Sequence, residues 1–364
     1  MSRATRAVID LAALRHNLQI SRQAAPNSKQ MAIIKAHAYG HGMVRIAQAL
    51  DEADAFGVAI IEEAIPLREA GISKPILLLE GFNSKQDLNL IRGYKLDCVI
   101  HHESQLKILE SIEGDPIKVW LKIDSGMHRL GFSPDIANEV YQRLLKCPSV
   151  SQPISLMTHL SNADDLADDF TEQQIRTFNE AIGFKNSSNE EIDCSIANSA
   201  GIMGWPSSHA DWVRPGIMLY GVSPFISQAT KQYDLKPVMT LKSELIAVNQ
   251  YKKGDRIGYG GTWACPEDMP VGVVAIGYGD GYPRHAPSGT PVLVKDRPCQ
   301  LVGRVSMDML TIDLRHCSDA KPGDEVILWG KGLPIEKIAD LSGTIAYELL
   351  CGVTNRVAFE YQDK

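Results

Sequence analysis

The pattern of hydrophobic positions is regular from about residue 30 to about residue 220. Short apolar runs alternate there with longer amphipathic stretches, which is typical of parallel strands connected by helices. Because helices cover such strands, the strands read as nearly continuous apolar runs. Eight runs of this kind occur: Met31–Ile34, Phe56–Ile60, Pro75–Leu79, Cys98–Ile100, Val119–Ile123, Ile154–Met157, Cys194–Ala197 and Trp212–Tyr220.

Eight strand–helix units are the number found in a (β/α)8 barrel. A doubly wound sheet is the alternative, but it usually has fewer strands and a glycine-rich phosphate turn after the first one. No GxGxxG motif occurs in the sequence. We therefore predict an α/β fold of the TIM-barrel type over residues 1–230. Apolar residues at helical spacing support it in Ile46–Leu50, Glu62–Ala70, Gln105–Ile112 and Asn138–Leu145.

The pattern changes after about residue 230. Helical spacing fades, and short strand-like runs alternate with turn signals such as Lys253-Gly254-Asp255. These features predict a mainly β C-terminal domain over residues 231–364, with which the first few residues of the chain could also pack. The strand-like runs are Leu245–Val248, Val271–Ile276, Pro291–Val294 and Glu325–Trp329.

Composition and charge exclude several classes of function. The chain of 364 residues has a formal net charge of −7 and no basic stripe, so a nucleic-acid partner is not expected. No apolar stretch is long enough for a membrane span or a secretory signal, so we expect a cytoplasmic protein. Seven widely spaced cysteines without a CxxC pair predict reduced, mostly buried thiols and no metal site.

The first candidate for chemistry is a lysine at the end of the first apolar run. In a barrel of this type the active site lies where the strands end. The segment Lys35-Ala-His-Ala-Tyr39-Gly-His-Gly42 combines the lysine with small residues and two glycines. Such a lysine either extends to the surface or is desolvated, and a desolvated lysine can form a Schiff base with an aldehyde cofactor.

Polar residues also follow the later runs. The fifth run ends with Lys122-Ile123, and Asp124 and Arg129 follow. These residues form either a surface salt-bridge cluster or a site whose arginine grips a carboxylate or phenolic oxygen. His159 follows the sixth run, where a lone histidine is more often a packing residue. Loops after the seventh and eighth strands usually bind phosphate in this fold. Asn198 and Ser199 follow the seventh run, and the eighth run itself carries Arg214, Gly216 and Ile217.

Glycine-rich turns of the second domain contain two tyrosines, Tyr259 and Tyr278. Tyrosines among glycines are usually turn or packing residues, but they can also present a phenol at a cleft. A third segment of this domain, Gly303-Arg-Val-Ser-Met307-Asp308, is a further candidate.

Taken in order, these segments resemble the alanine racemase family, whose barrel binds pyridoxal 5′-phosphate. Residues 34–42 are similar to the family's cofactor signature, and the segments around Arg129, Arg214, Tyr259 and Met307 match as well. The resemblance covers essentially the whole chain. It implies interconversion of L-alanine and D-alanine, supplying D-alanine for peptidoglycan, by a homodimer with shared active sites.

The resemblance also implies a role for each candidate residue. Lys35 would hold the cofactor as an internal aldimine and act as one base, and Tyr259 of the partner subunit would be the other base. Arg129 would orient the substrate carboxylate, which the backbone N–H of Met307 of the partner subunit would bind. Arg214 would contact the pyridine nitrogen. Other residues around the cofactor would be Tyr39, His159, Asn198, Ser199, Gly216 and Ile217, with Tyr278 and Asp308 in support.

The chemistry explains these residue types. The α-proton leaves one face of the substrate and another returns to the opposite face, which two bases achieve without rotating the substrate. Lysine and tyrosine have reference pKa values of about 10, so burial of the lysine and cations near both groups must bring them toward working pH. Arg214 cannot accept a proton from the pyridine nitrogen, so it should weaken the electron sink and limit transamination. As in many members of the family, Lys122 could be carbamylated, giving an anion beside Arg129.

Two positions depart from the family pattern. His37 stands where many members have asparagine, and we expect little effect on the chemistry. Asn355 stands in a segment that lacks the tyrosine with which some members help to hold the phosphate, so no phosphate contact is predicted there.

Three other functions agree with part of the sequence. A decarboxylase of the same fold would pair the pyridine nitrogen with an acid, which Arg214 argues against. A single-barrel cofactor carrier would lack the second domain with Tyr259 and Met307. None of these residues distinguishes an alanine racemase from a racemase of broader specificity that acts on serine or basic amino acids.

Overall fold

The computed structural model describes residues 4–187, 191–225 and 233–363. The domain division predicted between residues 230 and 231 lies outside the described residues. Within them, eight parallel strands form a closed barrel, which confirms the predicted TIM-type architecture. After a first strand β1 (Arg6–Asp10), the barrel strands are β2 (Lys29–Ile33), β3 (Ala55–Val58), β4 (Ile76–Leu78), β5 (Asp97–Ile100), β6 (Ile117–Lys122), β7 (Val150–Met157), β8 (Cys194–Ser195) and β9 (Trp212–Val213).

The barrel strands follow one another in sequence order, and β9 closes the barrel on β2 through the pairs Lys29–Trp212 and Gln30–Val213. All four residues of β3 are buried, since one face of the strand meets the barrel interior and the other meets the helices. This burial on both faces explains the continuous apolar runs of the sequence.

Helices connect the strands of the barrel, and their apolar faces pack against it. In the helix formed by residues 137–145, the buried side chains are Ala137, Val140, Tyr141 and Leu144, which lie on one face at helical spacing. The helices of this region are α1 (Leu11–Ala24), α3 (Met43–Ala49), α4 (Ile61–Glu69), α5 (Lys85–Gly93), α6 (Glu103–Glu110), α7 (Ala137–Leu145), α8 (Phe170–Ala181) and α9 (Ser199–Gly204), whereas the short segment α2 (Lys35–Gly40) is a left-handed turn rather than an ordinary α-helix.

The eighth predicted run is longer than the strand that it forms. The sequence predicts a strand over Trp212–Tyr220, whereas β9 ends at Val213 and Ile217–Tyr220 forms a 3-10 turn. Pro215 lacks an N–H group for strand pairing, and Gly216 weakens a strand. The prediction is therefore wrong beyond Val213, and the chain turns at this point into the mouth of the barrel.

A second sheet contains β1 together with strands from the C-terminal part of the chain, which confirms the mainly β character of that part. The strands of this part are β10 (Met239–Tyr251), β11 (Arg256–Ile257), β12 (Trp263–Ala264), β13 (Met269–Val274), β14 (Pro291–Val294), β15 (Arg297–Leu301), β16 (Leu310–Asp313), β17 (Glu325–Trp329) and β18 (Ala358–Gln362), of which β11 and β12 pair separately as a short ribbon. The strand order of the sheet is β13-β16-β15-β14-β17-β10-β1-β18, and β13 also pairs with β10.

Two helices of the C-terminal part, α10 (Ile335–Ser342) and α11 (Ala346–Cys351), have no counterpart in the sequence-based prediction. Helix α11 lies against α2, where a Cβ atom on Gly40 would come within 2.1 Å of the carbonyl oxygen of Leu350. A glycine is required at this contact, and α11 thereby reaches the mouth of the barrel. Among the residues that the structure describes, no helix has the length and apolarity of a membrane span.

Candidate active site

A cavity of about 760 Å³ opens at the ends of the barrel strands. It collects ten of the candidate residues that the sequence predicts in the barrel, although they come from widely separated segments, and Asp124 does not line it. The ten residues are Lys35, Tyr39, Lys122, Arg129, His159, Asn198, Ser199, Arg214, Gly216 and Ile217.

The cavity is rich in positive charge, although the whole chain has a net charge of −7. Burial, together with the nearby cations of Arg214 and Arg129, lowers the pKa of Lys122 to about 8. Burial and the charge of Arg129 also lower the pKa of Lys35. Several cations in one partly desolvated cavity favour an anionic ligand.

Arg214 is held by neutral acceptors rather than by a carboxylate. Its guanidinium donates to Ser195 Oγ at 2.5 Å, to the carbonyl oxygen of Thr158 at 2.6 Å and to Nδ1 of His159 at 3.2 Å. Burial lowers the pKa of Arg214 to about 10, which leaves it a cation at neutral pH. Burial and the charge of Arg214 hold the pKa of His159 well below its usual range, so His159 is a neutral acceptor.

Asp124 shapes the loop that presents Arg129. Its Oδ1 accepts the backbone N–H groups of Gly126 and His128, both at 3.0 Å. These bonds, with burial as an opposing factor, lower the pKa of Asp124. The carboxylate is thus engaged by its own loop, and Arg129 extends from that loop to the cavity.

Small groups and hydroxyls surround one end of the cavity. Ser199 Oγ accepts the backbone N–H groups of Gly216 at 2.9 Å and of Met218 at 3.3 Å. A Cβ atom on Gly216 would come within 2.9 Å of the phenolic oxygen of Tyr39. Burial raises the pKa of Tyr39 far above its usual value, so the phenol stays a donor. Such hydroxyl and N–H donors suit a phosphate group.

The turn that follows Lys35 has a backbone conformation that is rare outside glycine. Residues 36–39 have φ values between 51 and 56° and ψ values between 41 and 53°. This left-handed conformation costs roughly 1–2 kcal/mol per non-glycine residue. Strain of this kind persists only where the surrounding structure enforces it, and it is common at active sites.

Four predicted site residues lie outside this cavity, on the C-terminal part of the chain. Tyr259 is 70% exposed and Met307 is 52% exposed. Backbone hydrogen bonds join two of their segments, since Tyr278 N–H donates to Ser306 and Gly279 N–H donates to Met307. Asp308 forms an ion pair with Arg356 at 2.5 Å. Tyr259, Tyr278, Met307 and Asp308 therefore do not complete the cavity of their own chain.

The sequence matches two family models. Residues 9–224 match the N-terminal domain of alanine racemase, and residues 238–361 match its C-terminal domain. The chain belongs to the alanine racemase family. The C-terminal match includes Tyr259 and Met307. The chain therefore has the second domain that a single-barrel cofactor carrier lacks.

Individual relatives are similar to this chain over almost its whole length. The chain is 50% identical to an alanine racemase of Coxiella burnetii over 369 residues, with 99% of both chains covered. It is 51% identical to the biosynthetic alanine racemase of Escherichia coli over 358 residues, 98% of both. Among solved structures, the biosynthetic alanine racemase of Pseudomonas aeruginosa superimposes with a TM-score of 0.93 at 42% identity, covering 99% of both chains.

Two residues of the cavity were not among the predicted site residues, although their segment matches the family pattern. Tyr347 and Cys351, both in α11, line the cavity, and the ring centroids of Tyr347 and Tyr39 are 5.9 Å apart. Burial raises the pKa of Tyr347 to about 12. Asn355 does not line the cavity, whereas Tyr347 does. The six residues of α11 are too few for a helical period to be evident, so periodicity offered no signal for this element.

Stability in acid should depend on His41, which is completely buried. Burial lowers its pKa from 6.5 to about 4. The unfolded chain therefore takes up the proton first, and stability that is present above pH 6.5 is lost as the pH falls toward 4. At about 1.4 kcal/mol per pKa unit, the expected loss is about 3 kcal/mol.

This dependence can be measured by urea unfolding between pH 7 and pH 4. The free energy of unfolding should depend less on pH in His41→Asn than in the wild type. His37→Asn, at an exposed position of the preceding turn, should keep the wild-type dependence. An unchanged slope in His41→Asn would contradict the assignment. Because both profiles contain the same contribution from His159, the comparison isolates His41.

Proposed function

We propose that this chain interconverts L-alanine and D-alanine with pyridoxal 5′-phosphate as cofactor and with Lys35 and Tyr259 as bases. The observation that carries the proposal is the partly desolvated Lys35 at the mouth of a positively charged barrel cavity that also contains Arg214. Membership of the alanine racemase family supports the reaction. The biosynthetic relatives support a role in supplying D-alanine.

The residues of the cavity fit this cofactor. The tight approach of Gly216 to Tyr39, beside the hydroxyl of Ser199, leaves a small polar end for a phosphate group. Tyr39, Tyr347, the hydroxyl of Ser199 and the backbone N–H of Ile217, beside Gly216, would hold it. Arg214 would face the pyridine nitrogen and His159 and Asn198 would line the ring. When bound, the cofactor supplies stabilisation of the substrate carbanion.

The protein's own contribution is to position two proton carriers. Lys35 Nζ, with its lowered pKa, can hold or release a proton at one face of the substrate. We place the phenol of Tyr259 at the other face, in the site of a second subunit, because the side chain is 70% exposed and lies outside its own cavity. Arg129 and the backbone N–H of Met307 would bind the carboxylate. The active unit is then a homodimer.

The absorption spectrum of the purified protein and the optical rotation of L-alanine solutions test the proposal. The wild type should have a visible cofactor band and should racemise alanine. Lys35→Ala should lose the band and at least about 10³-fold in rate. A cofactor band with racemisation of serine, lysine or arginine but not of alanine would assign a different substrate. Absence of a band after incubation with the cofactor would refute the proposal.

We expect Lys122 to be carbamylated. Its pKa of about 8 leaves a useful fraction of neutral amine, and that fraction grows as the pH rises. Attack of Nζ on CO2 with loss of a proton forms an anion where three cations, Arg214, Arg129 and Lys35, otherwise repel the ammonium. Protein equilibrated with ¹³C-bicarbonate should show a carbamate signal by NMR that Lys122→Gln lacks. An unmodified wild-type protein would contradict this.

A further inference from the structure

Lys35 is followed by a left-handed turn, residues 36–39, that contains no glycine. The turn connects Lys35 to Tyr39, the two cavity residues that this segment provides. Its conformation is unfavourable for each of its residues. Contacts from outside the turn must therefore hold it, and they determine where Lys35 and Tyr39 lie relative to each other.

Glu63, the third residue of α4, binds the start of the turn. Its Oε1 accepts the backbone N–H of Ala36 at 2.6 Å, and its Oε2 accepts the backbone N–H of Ala59 at 2.7 Å. One carboxylate thus joins the peptide directly after Lys35 to the end of the neighbouring strand β3. Hydrogen bonds to an ionised carboxylate are stronger than those between neutral groups.

His41 binds the end of the same turn. Its Nδ1 lies 2.8 Å from the carbonyl oxygen of Tyr39 and 3.1 Å from that of Ala38. The buried ring also packs on Tyr220, with the centroids 4.6 Å apart. Both ends of the turn are therefore fixed by side chains, and the end that Glu63 binds directly follows Lys35 in the chain.

We propose that Glu63 is a positioning residue for Lys35, which holds the left-handed turn in place through Ala36 and does not itself contact the substrate. The inference rests on the proposed role of Lys35. It accounts for a carboxylate at the end of β3 that neither cofactor binding nor proton transfer requires. Its negative charge also lies close enough to act on the ammonium of Lys35.

Steady-state kinetics of the cofactor-loaded enzyme test this role. In Glu63→Ala, kcat should fall about ten-fold or more while KM changes less than three-fold, and the visible cofactor band should shift. Glu63→Gln, which keeps one acceptor oxygen, should lie between Glu63→Ala and the wild type. Glu62→Ala, at the exposed neighbouring position of the same helix, is the matched control and should behave as the wild type.

A second readout needs no cofactor. The pH dependence of acetylation of Lys35 by acetic anhydride, followed by mass spectrometry, should move to lower pH in Glu63→Gln, because the variant removes a negative charge beside the ammonium. Glu62→Gln should leave it unchanged. Wild-type kcat, spectrum and labelling profile in the Glu63 variants would overturn the inference, as would a loss of thermal stability alone. If instead the wild type lacks the cofactor band, the proposed function fails, while the labelling profile still decides the role of Glu63.

Discussion

A mixture of the Lys35→Ala and Tyr259→Phe variants should recover about a quarter of the wild-type racemase activity, although each variant alone should lose roughly 10²–10⁴-fold. The cavity contains Lys35 but not Tyr259, which is 70% exposed elsewhere on the chain. If the phenol serves a second subunit, half of the randomly reassorted dimers combine both variants. Each of these has one site with both bases intact.

The experiment requires exchange of subunits, by mild denaturation and refolding of the mixture or by coexpression, and native mass spectrometry to verify the mixed dimer. A matched control mixes the wild type with a chain that has both substitutions. Shared sites then predict about a quarter of the activity of pure wild type, whereas sites within one chain predict about half. Mixed dimers without any recovered activity would refute the shared site.

Replacing Arg214 by glutamate should reverse the balance between racemisation and transamination. Arg214 is a buried cation that donates only to neutral groups, including Ser195 and His159. It cannot take a proton, whereas a carboxylate at this position can share one with the pyridine nitrogen and strengthen the electron sink. We expect racemisation to fall about 10²-fold or more and pyruvate formed per racemisation event to rise.

The ratio is measured by trapping pyruvate while the optical rotation is followed. Arg214→Gln separates loss of the cation from gain of an acid, since it should slow racemisation without raising the proportion of pyruvate. Circular dichroism and thermal unfolding of both variants identify any loss of fold. An unchanged proportion of pyruvate in folded Arg214→Glu would exclude this explanation of the arginine.

The barrel could be predicted from sequence because its strands are buried on both faces. Each short strand then appears as an uninterrupted apolar run, such as that of Ala55–Val58. The same rule failed after Val213, because an apolar composition does not distinguish a strand from a buried 3-10 turn. It also did not identify α10 or α11, whose short lengths leave too few turns for a helical period to be evident.

The candidate site could be predicted where a residue with suitable chemistry lies at the end of a predicted strand. Lys35, Lys122 and Arg214 each follow or end an apolar run, so the barrel rule brings them together. Tyr347 was not predictable in this way, because α11 reaches the cavity from the other part of the chain. Glu63 was missed for another reason: a glutamate in the first turn of a helix is common, and only the structure gives its two N–H partners.

The pairing of β1 has a consequence for the order in which the protein can be completed during synthesis. Strand β1 precedes the whole barrel in the chain, but its two neighbours are β10 and β18. Until the ribosome has made Met239 and the residues that follow, Ala7 and Ile9, both fully buried in the finished protein, have no partner strand. In an unfinished chain the apolar β1 segment is therefore unpaired, and an unpaired segment of this kind favours association between unfinished chains.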